Sequence, residues 1–310
     1  MRKILITGGA GNVGSSLAKK LVTNPDNFVV IADDLSTGSL NKLPDAGKYD
    51  NFKFIKADVN SFNDISMVIL RYGFDYIFHY AAVVGVKRTL ESPTKVLNDI
   101  QGIKNILELA KNAGVKRVFY SSSSEVYGEP VEFPQNEDTT PLNSKLPYAI
   151  VKNVGEAFLK SFKKEYALDY TIFRFFNTYG PEQSQDFVVP KFIEAAQTGQ
   201  PITLYGDGSQ TRTFCYIDDN IEATTNALYN DLFINDVVNI GSDIEMTILE
   251  LAKLIIKETN SSSRLIHLPP LPEGDMTRRK PDISKMKKLL DREMTSVGEG
   301  IKRVIASRKA

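Results

Sequence analysis

Along the first 180 positions, short apolar runs ending in glycines or small polar residues alternate with segments whose apolar residues recur at helical spacing. The runs predict buried strands over 3–7, 28–32, 52–56, 76–80 and 118–120. Their apolarity is continuous rather than alternating, so both faces of each strand are covered, as in a parallel sheet. Between them, Leu17, Ala18, Leu21 and Val22 carry a helical period. Helices are also predicted over 61–72, with Ser61 or Asn63 in the capping position, over 94–112, stopped by Gly114, and over 148–166. Strands alternating with helices make this an α/β chain with a doubly wound parallel sheet. From Gln183 onward the alternation loosens. There the pattern predicts a helix over 188–197, short strands over 201–205 and 213–216, and a helix opening at Asp218-Asp219. An amphipathic helix over 247–259, a serine loop over 261–263 and a Pro-rich turn region over 268–272 follow. The expected division is a domain over 1–180 and a smaller mixed α/β carboxy-terminal lobe over 181–310, with some chain crossing back.

Composition narrows the partners. The formal net charge is zero, which leaves no electrostatic footprint for nucleic acid or an anionic membrane. No segment approaches a membrane span, and the first apolar run, Ile4-Leu5-Ile6, is too short for a signal peptide. The single cysteine, Cys215, excludes an internal disulfide framework and fits a reducing cytoplasm. Between Phe214 and Tyr216 it reads as a packed thiol. The two histidines, His79 and His267, are far apart, and no cluster has metal-ligand spacing, so no metal is expected.

The ends of the strands carry the chemistry. Gly8-Gly9-Ala10-Gly11-Asn12-Val13-Gly14 lies between a strand and a helix, the context that makes a glycine motif a dinucleotide cradle of the Rossmann type. Its backbone can approach a pyrophosphate, whose charge then meets the helix amino terminus. About 20 residues past the last glycine comes Asp33, suited to binding the adenosine ribose hydroxyls. The segment from Asp33 to Gly38 holds no arginine or lysine to welcome a 2′-phosphate, which favours NAD over NADP. Gly8, Asp33, Asp58, Ala81 and Ser123 all fall at carboxyl ends of strands and so converge on one crevice. The small residues Ala81 and Ala82 let a flat cofactor approach the backbone. Tyr148 and Lys152, four apart, share one helix face. A phenol beside an ammonium is expected to have its pKa lowered, making a base that can take a proton from an alcohol. A tyrosine–lysine pair of this spacing also arises by chance, and a serine run after a strand is commonly just a polar loop. The hydride acceptor encoded upstream is what favours chemistry.

Taken together, the glycine motif, Asp33, Ser123-Ser124-Glu125-Val126-Tyr127-Gly128 and Tyr148-x-x-x-Lys152 resemble extended short-chain dehydrogenases/reductases. Within them the chain is similar to the nucleotide-sugar branch of epimerases, dehydratases and decarboxylases. The resemblance covers nearly the whole chain: residues 174–181, 206–214, 239–242 and 279–282 match segments of that branch. It implies that Tyr148 is the base, that Lys152 lowers its pKa and holds the nicotinamide ribose, and that Ser123 orients the sugar hydroxyl. It also implies cofactor contacts at Gly8, Gly11, Asn12, Val13, Gly14, Asp33, Asp34, Ser36, Asp58, Val59, Ala81, Ala82 and Asn98. Ser124, Asn177, Arg212 and Arg279 are implied to bind the nucleotide-diphosphate sugar, guanidinium forks suiting its phosphate oxygens.

Departures from the pattern matter as well. Dehydratases typically carry Asp-Glu after the catalytic hydroxyl, and Ser124-Glu125 stands here, which counts against loss of water. Glu125 remains able to deprotonate a carbon next to a ketone. A hydroxyl-Ser-Glu sequence resembles UDP-glucuronate decarboxylases and also occurs in 4-epimerases; in the decarboxylases an arginine in the position of Arg279 assists. The usual Gly-Trp near the tail is Asp291-Arg292 here. The shared first step implied is oxidation of the sugar at C4 with NAD. C4 epimerisation is the favoured outcome; release of the 4-keto sugar and decarboxylation remain open. From another class, a non-catalytic NAD-binding sensor or scaffold remains open too, although such proteins often lose the Tyr or Lys kept here. A homodimer through the helices at 94–112 and 148–166 is implied by resemblance.

Overall fold

The computed structural model describes residues 1–85, 89, 91–269 and 278–308. Seven parallel strands form the central sheet. They are β1 (Arg2–Thr7), β2 (Asn27–Asp33), β3 (Phe52–Lys56), β4 (Tyr76–His79), β5 (Arg117–Ser123), β6 (Asp169–Phe175) and β11 (Asp236–Ile240). Their order is β3-β2-β1-β4-β5-β6-β11. The chain winds one way from β1 to β3 and then crosses back to lay β4 on the other side of β1. That reversal opens a crevice above the carboxyl ends of β1 and β4.

The continuous apolar runs are explained by burial on both faces. In β1, Ile4 and Ile6 enter one core and Leu5 the other; in β2, Val29 and Ile31 oppose Val30 and Ala32. One face is covered by α1 (Asn12–Leu21) and α6 (Ile217–Tyr229). The other face is covered by α2 (Phe62–Tyr72), α3 (Pro93–Asn112) and α4 (Pro147–Tyr166). Ser61 is the cap of α2, its side chain accepting from the Asp64 amide.

The smaller lobe contains α5 (Val188–Gln197), β8 (Ile202–Tyr205), α7 (Ile248–Thr259) and β13 (Leu265–Leu268), with β13 paired to β8. Thr247 and Glu250 close α7 with a reciprocal capping box. The strand expected over 213–216 is two pieces, β9 (Thr211–Thr213), paired to β12 (Glu245–Thr247), and β10 (Cys215–Tyr216), paired to β7 (Thr178–Tyr179). Each short piece answers to a different partner, which a single apolar run cannot reveal. The chain beyond 181 crosses back to supply β11 and α6 to the main sheet. Of the turn region expected over 268–272, residue 268 ends β13, and 270–272 lie outside the described residues. Among the described residues, α8 (Ser284–Lys287) and α9 (Val297–Ser307) follow toward the carboxy terminus.

Candidate active site

A cavity of about 610 Å³ runs from the glycine segment, past the ends of β4 and β5, into the smaller lobe. Gly8 makes its floor: at φ +68°, a Cβ there would stand 2.6 Å from the Ala81 amide nitrogen, so glycine alone lets β1 and residue 81 approach. Asp33 fixes the loop above. Its Oδ2 accepts from the Ala10 amide at 2.9 Å and its Oδ1 from the Leu35 amide at 2.8 Å. Each oxygen retains a lone pair for a ribose hydroxyl. The first turn of α1 has no side-chain cap, and the Oδ1 of Asn12, buried at the cavity wall, has no hydrogen-bond partner among the described residues. Open helix amides facing a cavity suit a diphosphate. These features fit a dinucleotide.

Of the four serines expected after a strand, Ser121 to Ser124, the first three are its last residues, since β5 runs on through Ser123. Hydrogen bonding to neighbouring strands outweighs their preference for loops. Ser121 receives the Lys152 ammonium at 3.3 Å, Ser122 donates to Glu156 at 2.6 Å, and the Ser123 oxygen accepts from the Glu125 amide at 3.2 Å. Opposite stands α4. It lies close to β5 because Gly155 faces the Tyr120 ring, and this approach brings Tyr148 and Lys152 over the strand end.

Lys152 is 2% exposed. Its ammonium lies 5.0 Å from the centre of the Tyr120 ring and 5.7 Å from that of Tyr148, in cation–π geometry. Burial lowers its pKa to about 8, and the charge of Asp99 works against that shift. The expected lowering of the Tyr148 pKa is corrected by the structure. Burial dominates and pushes the phenol above its ordinary value; Ser123 and Arg279 pull it back, and Glu125 and Asp99 add to the rise. His79, hydrogen-bonded to Thr7 at 2.8 Å, is held neutral by burial, its pKa lowered to about 3.

All expected site residues but one line this cavity. Asp34, Ser36, Asp58, Val59, Ala81 and Ala82 follow the glycine segment along the dinucleotide end. Ser124, Glu125 and Arg279 line it beyond the end of β5, where Arg279 meets Glu125 at 2.7 Å and the Ser124 hydroxyl at 3.4 Å. Asn177 donates to the Thr213 carbonyl and Arg212 to that of Thr211 on the approach from the smaller lobe. Asn98 is the exception: it is exposed on α3, and the adjacent Asp99 faces the cavity instead. The helical phase carried that signal, since Val96, Asp99, Ile103 and Ile106 share the buried stripe. Lys191 and Tyr205, also in the wall, had no motif to mark them. Among the described residues, no cluster of His, Cys, Asp or Glu could hold a metal.

A doubly wound sheet with a dinucleotide cradle and a serine–tyrosine–lysine group at its switch point defines a short-chain dehydrogenase/reductase of the extended, nucleotide-sugar type. The model of the NAD dependent epimerase/dehydratase family matches residues 4–241, and the chain belongs to that family of NAD-dependent enzymes. It is 36% identical over 307 residues to a UDP-N-acetyl-alpha-D-glucosaminuronate decarboxylase of Bacillus cytotoxicus, covering 93% of this chain and 91% of the relative. In structure it is similar to the UDP-glucose 4-epimerase of Thermotoga maritima with UDP-glucose, at TM-score 0.92 and 31% identity over 99% of this chain and 98% of that one. It is also similar to the Thermus thermophilus UDP-glucose 4-epimerase in complex with NAD, at TM-score 0.90 and 27% identity over 99% of both chains.

Proposed function

We propose that this enzyme oxidises a nucleotide-diphosphate sugar at C4 and completes the cycle as a 4-epimerase. The observation that carries this reading is that one cavity is lined by Ser123, Tyr148 and Lys152 and also by Gly8, Gly11 and Asp33. NAD, held by the glycine segment, Asp33 and Lys152, supplies the hydride acceptor when bound. Ser123 orients the 4-hydroxyl, and Tyr148 takes its proton. A phenol raised by burial releases its own proton only with cations near, which is the part assigned to Lys152 and Arg279. Tyr148 then returns the proton when the 4-ketone is reduced on its other face. Asn177 and Arg212, toward the smaller lobe, are assigned to the nucleotide diphosphate.

A second reading has its own observation. Arg279 and Glu125 place a guanidinium and a carboxylate beside Tyr148. A guanidinium there suits a carboxylate at C6 of the sugar, whose loss a neighbouring 4-ketone makes easy. The Bacillus cytotoxicus relative is named for that chemistry. Incubation with UDP-glucose, UDP-N-acetylglucosamine and UDP-glucuronate, read by mass and by NMR, separates the two. An isomer of unchanged mass supports epimerisation, and loss of carbon dioxide from the uronate supports decarboxylation. Tyr148→Phe should lower either rate by about 100-fold to 10,000-fold while leaving NAD bound.

Among the described residues no helix is long and apolar enough to cross a membrane. We assign the enzyme to the cytoplasm on its lone, buried Cys215, and to a homodimer through α3 and α4, on which Leu97, Ile150 and Tyr166 are exposed. Sedimentation at micromolar concentration tests the dimer.

A further inference from the structure

Glu245 has no part in the chemistry above, and it does not line the cavity. Its carboxylate forks onto Arg278, Oε1 accepting from Nε at 2.5 Å and Oε2 from Nη2 at 2.7 Å. Lys280 Nζ stands 3.5 Å from the same Oε2, and the Thr211 hydroxyl reaches Oε1 at 3.5 Å. The Arg278 guanidinium also lies 4.3 Å from the centre of the Phe133 ring, a second hold on it. We propose that Glu245 is a positioning residue: it clasps the segment carrying Arg279 to the ribbon carrying Arg212, and so sets how far apart the two guanidiniums stand in the cavity. The inference rests on the reading of Arg212 and Arg279 as substrate-binding residues.

The alternation of side chains along two extended segments puts one carboxylate behind both arginines. Over 278–283, Arg279, Pro281 and Ile283 are buried, and Arg278, Lys280 and Asp282 are less so. That is the pattern of an extended chain, and the parallel bridge between Gln135 and Pro281 has the same form. Arg279 therefore enters the cavity to meet Glu125 and Ser124, while its neighbours on either side turn to Glu245. In the ribbon of β9 and β12, Glu245 stands opposite Thr213 and Met246 opposite Arg212. Directly opposed residues share a face, so Glu245 lies with Thr211 and Thr213, and Arg212 projects from the other face, where it lines the cavity. Arg278 is 45% exposed at its side chain and Glu245 20%. Ion pairs so placed commonly contribute little, but this one is a two-point fork backed by an aromatic ring, and it joins segments 33 residues apart. What it supplies is preorganisation: a substrate that spans both arginines finds them already in place instead of ordering them at a cost in affinity.

Glu245→Gln keeps the shape of the side chain and removes its charge. Hydrogen exchange, read by mass spectrometry on peptides over 278–283 and 209–214, should be about fivefold faster at both in this variant, the worth of a well-formed pair near the surface. Peptides of β1 and β5 should not change. Titration calorimetry of the NAD-loaded protein with UDP and UDP-glucuronate should show Kd raised by about fivefold, with the amount of bound NAD unaltered. On turned-over substrate, KM should rise and kcat should hold. Arg278→Gln should lose as much, and the double variant no more than either alone, since both changes open the same clasp. Unchanged exchange, or losses that add in the double variant, overturns the proposal. Faster exchange with unaltered affinity overturns it too, because the clasp would then be structural alone. Should Glu245→Gln not fold, Arg278→Gln carries the same comparison with wild type. A wild-type protein that binds neither UDP nor UDP-glucuronate would sink the function proposed above, and the exchange rates would still decide the clasp.

Discussion

Arg174 of β6 grips Glu156 of α4 with two parallel hydrogen bonds, Nε to Oε1 at 2.9 Å and Nη2 to Oε2 at 2.8 Å, both side chains nearly fully buried. The fork continues outward. Arg174 Nη1 donates to the Tyr127 hydroxyl at 2.8 Å, Tyr127 donates to Asn239 at 2.8 Å, and Asn239 donates to the carbonyls of Gln135 and Asp282. Gln135 also pairs with the backbone on either side of Pro281. A single polar path thus joins the helix of Tyr148 to the segment of Arg279.

Cutting that path at one point strands a buried charge. Glu156→Gln or Arg174→Met should cost about 3–5 kcal/mol, measured by urea unfolding. Replacing both together with apolar residues should recover much of the loss, because no charge is then left unpaired. The doubly substituted protein should still turn over more slowly, since Arg279 loses its tether. Full activity in a stable double variant would mean that the path is structural alone.

Arg279 and Glu125 give a sharper test of the two functional readings. Arg279→Gln combined with Glu125→Gln removes both charges without stranding either. Arg279 lowers and Glu125 raises the pKa of Tyr148, so losing both leaves opposed effects removed together, and a neutral sugar needs no cation at C6; its epimerisation should stay within about tenfold of wild type. Turnover of a sugar acid should fall by about 100-fold, the worth of a charge-assisted fork. Progress curves with UDP-glucose and UDP-glucuronate measure both. Equal losses on the two substrates would place Arg279 on a part of the ligand common to both.

The approach of α4 to β5 depends on Gly155, since a Cβ there would stand 2.8 Å from Cε1 of Tyr120. Gly155→Ala should destabilise the protein by about 1–3 kcal/mol through overpacking. Turnover should fall as well, because Tyr148 and Lys152 ride on the displaced helix. Tyr120→Leu in the same chain should restore part of the stability by making room, as thermal unfolding would show.

How much of this was legible in the sequence divides along physical lines. The strands of the main sheet announce themselves because burial on both faces demands unbroken apolar runs, as in Ile4-Leu5-Ile6 and Val29-Val30-Ile31. The part of the cavity lined by Gly8 and Asp33 was legible because few residue types fit its backbone approach and its loop. Interactions distant in sequence were not. The grip of Arg174 on Glu156 and the ion pair between Arg279 and Glu125 depend on how the sheet brings separate segments together. Asn98, expected to contact the cofactor, is exposed, and the helical stripe through Val96, Asp99 and Ile103 turns the adjacent Asp99 toward the cavity. For Tyr148, spacing shows that an ammonium is near but not how dry the site is, and burial raises its pKa.

That dryness leaves a mark on stability. Lys152 titrates at about 8 in the folded, ligand-free protein and at about 10.4 when unfolded. Below pH 8 both states carry the proton, and the folded state bears the full cost of a buried ammonium. Between pH 8 and 10 the folded protein has released the proton while the unfolded chain still holds it. The unfolded state then binds more protons, and this residue's contribution to stability rises with pH, at up to about 1.4 kcal/mol per unit. Burial raises the pKa of Cys215, so its thiol pulls the other way above pH 9, and a single stability curve would mix the two. Lys152→Met removes the ammonium and keeps Cys215, so the difference between the two proteins isolates the lysine. The variant should be more stable than wild type at pH 7, and its advantage should shrink as pH rises to 10. Turnover should be abolished throughout. A stability difference that does not change with pH would mean that Lys152 is already neutral at pH 7, and with that the charge assigned to it beneath Tyr148 would fall.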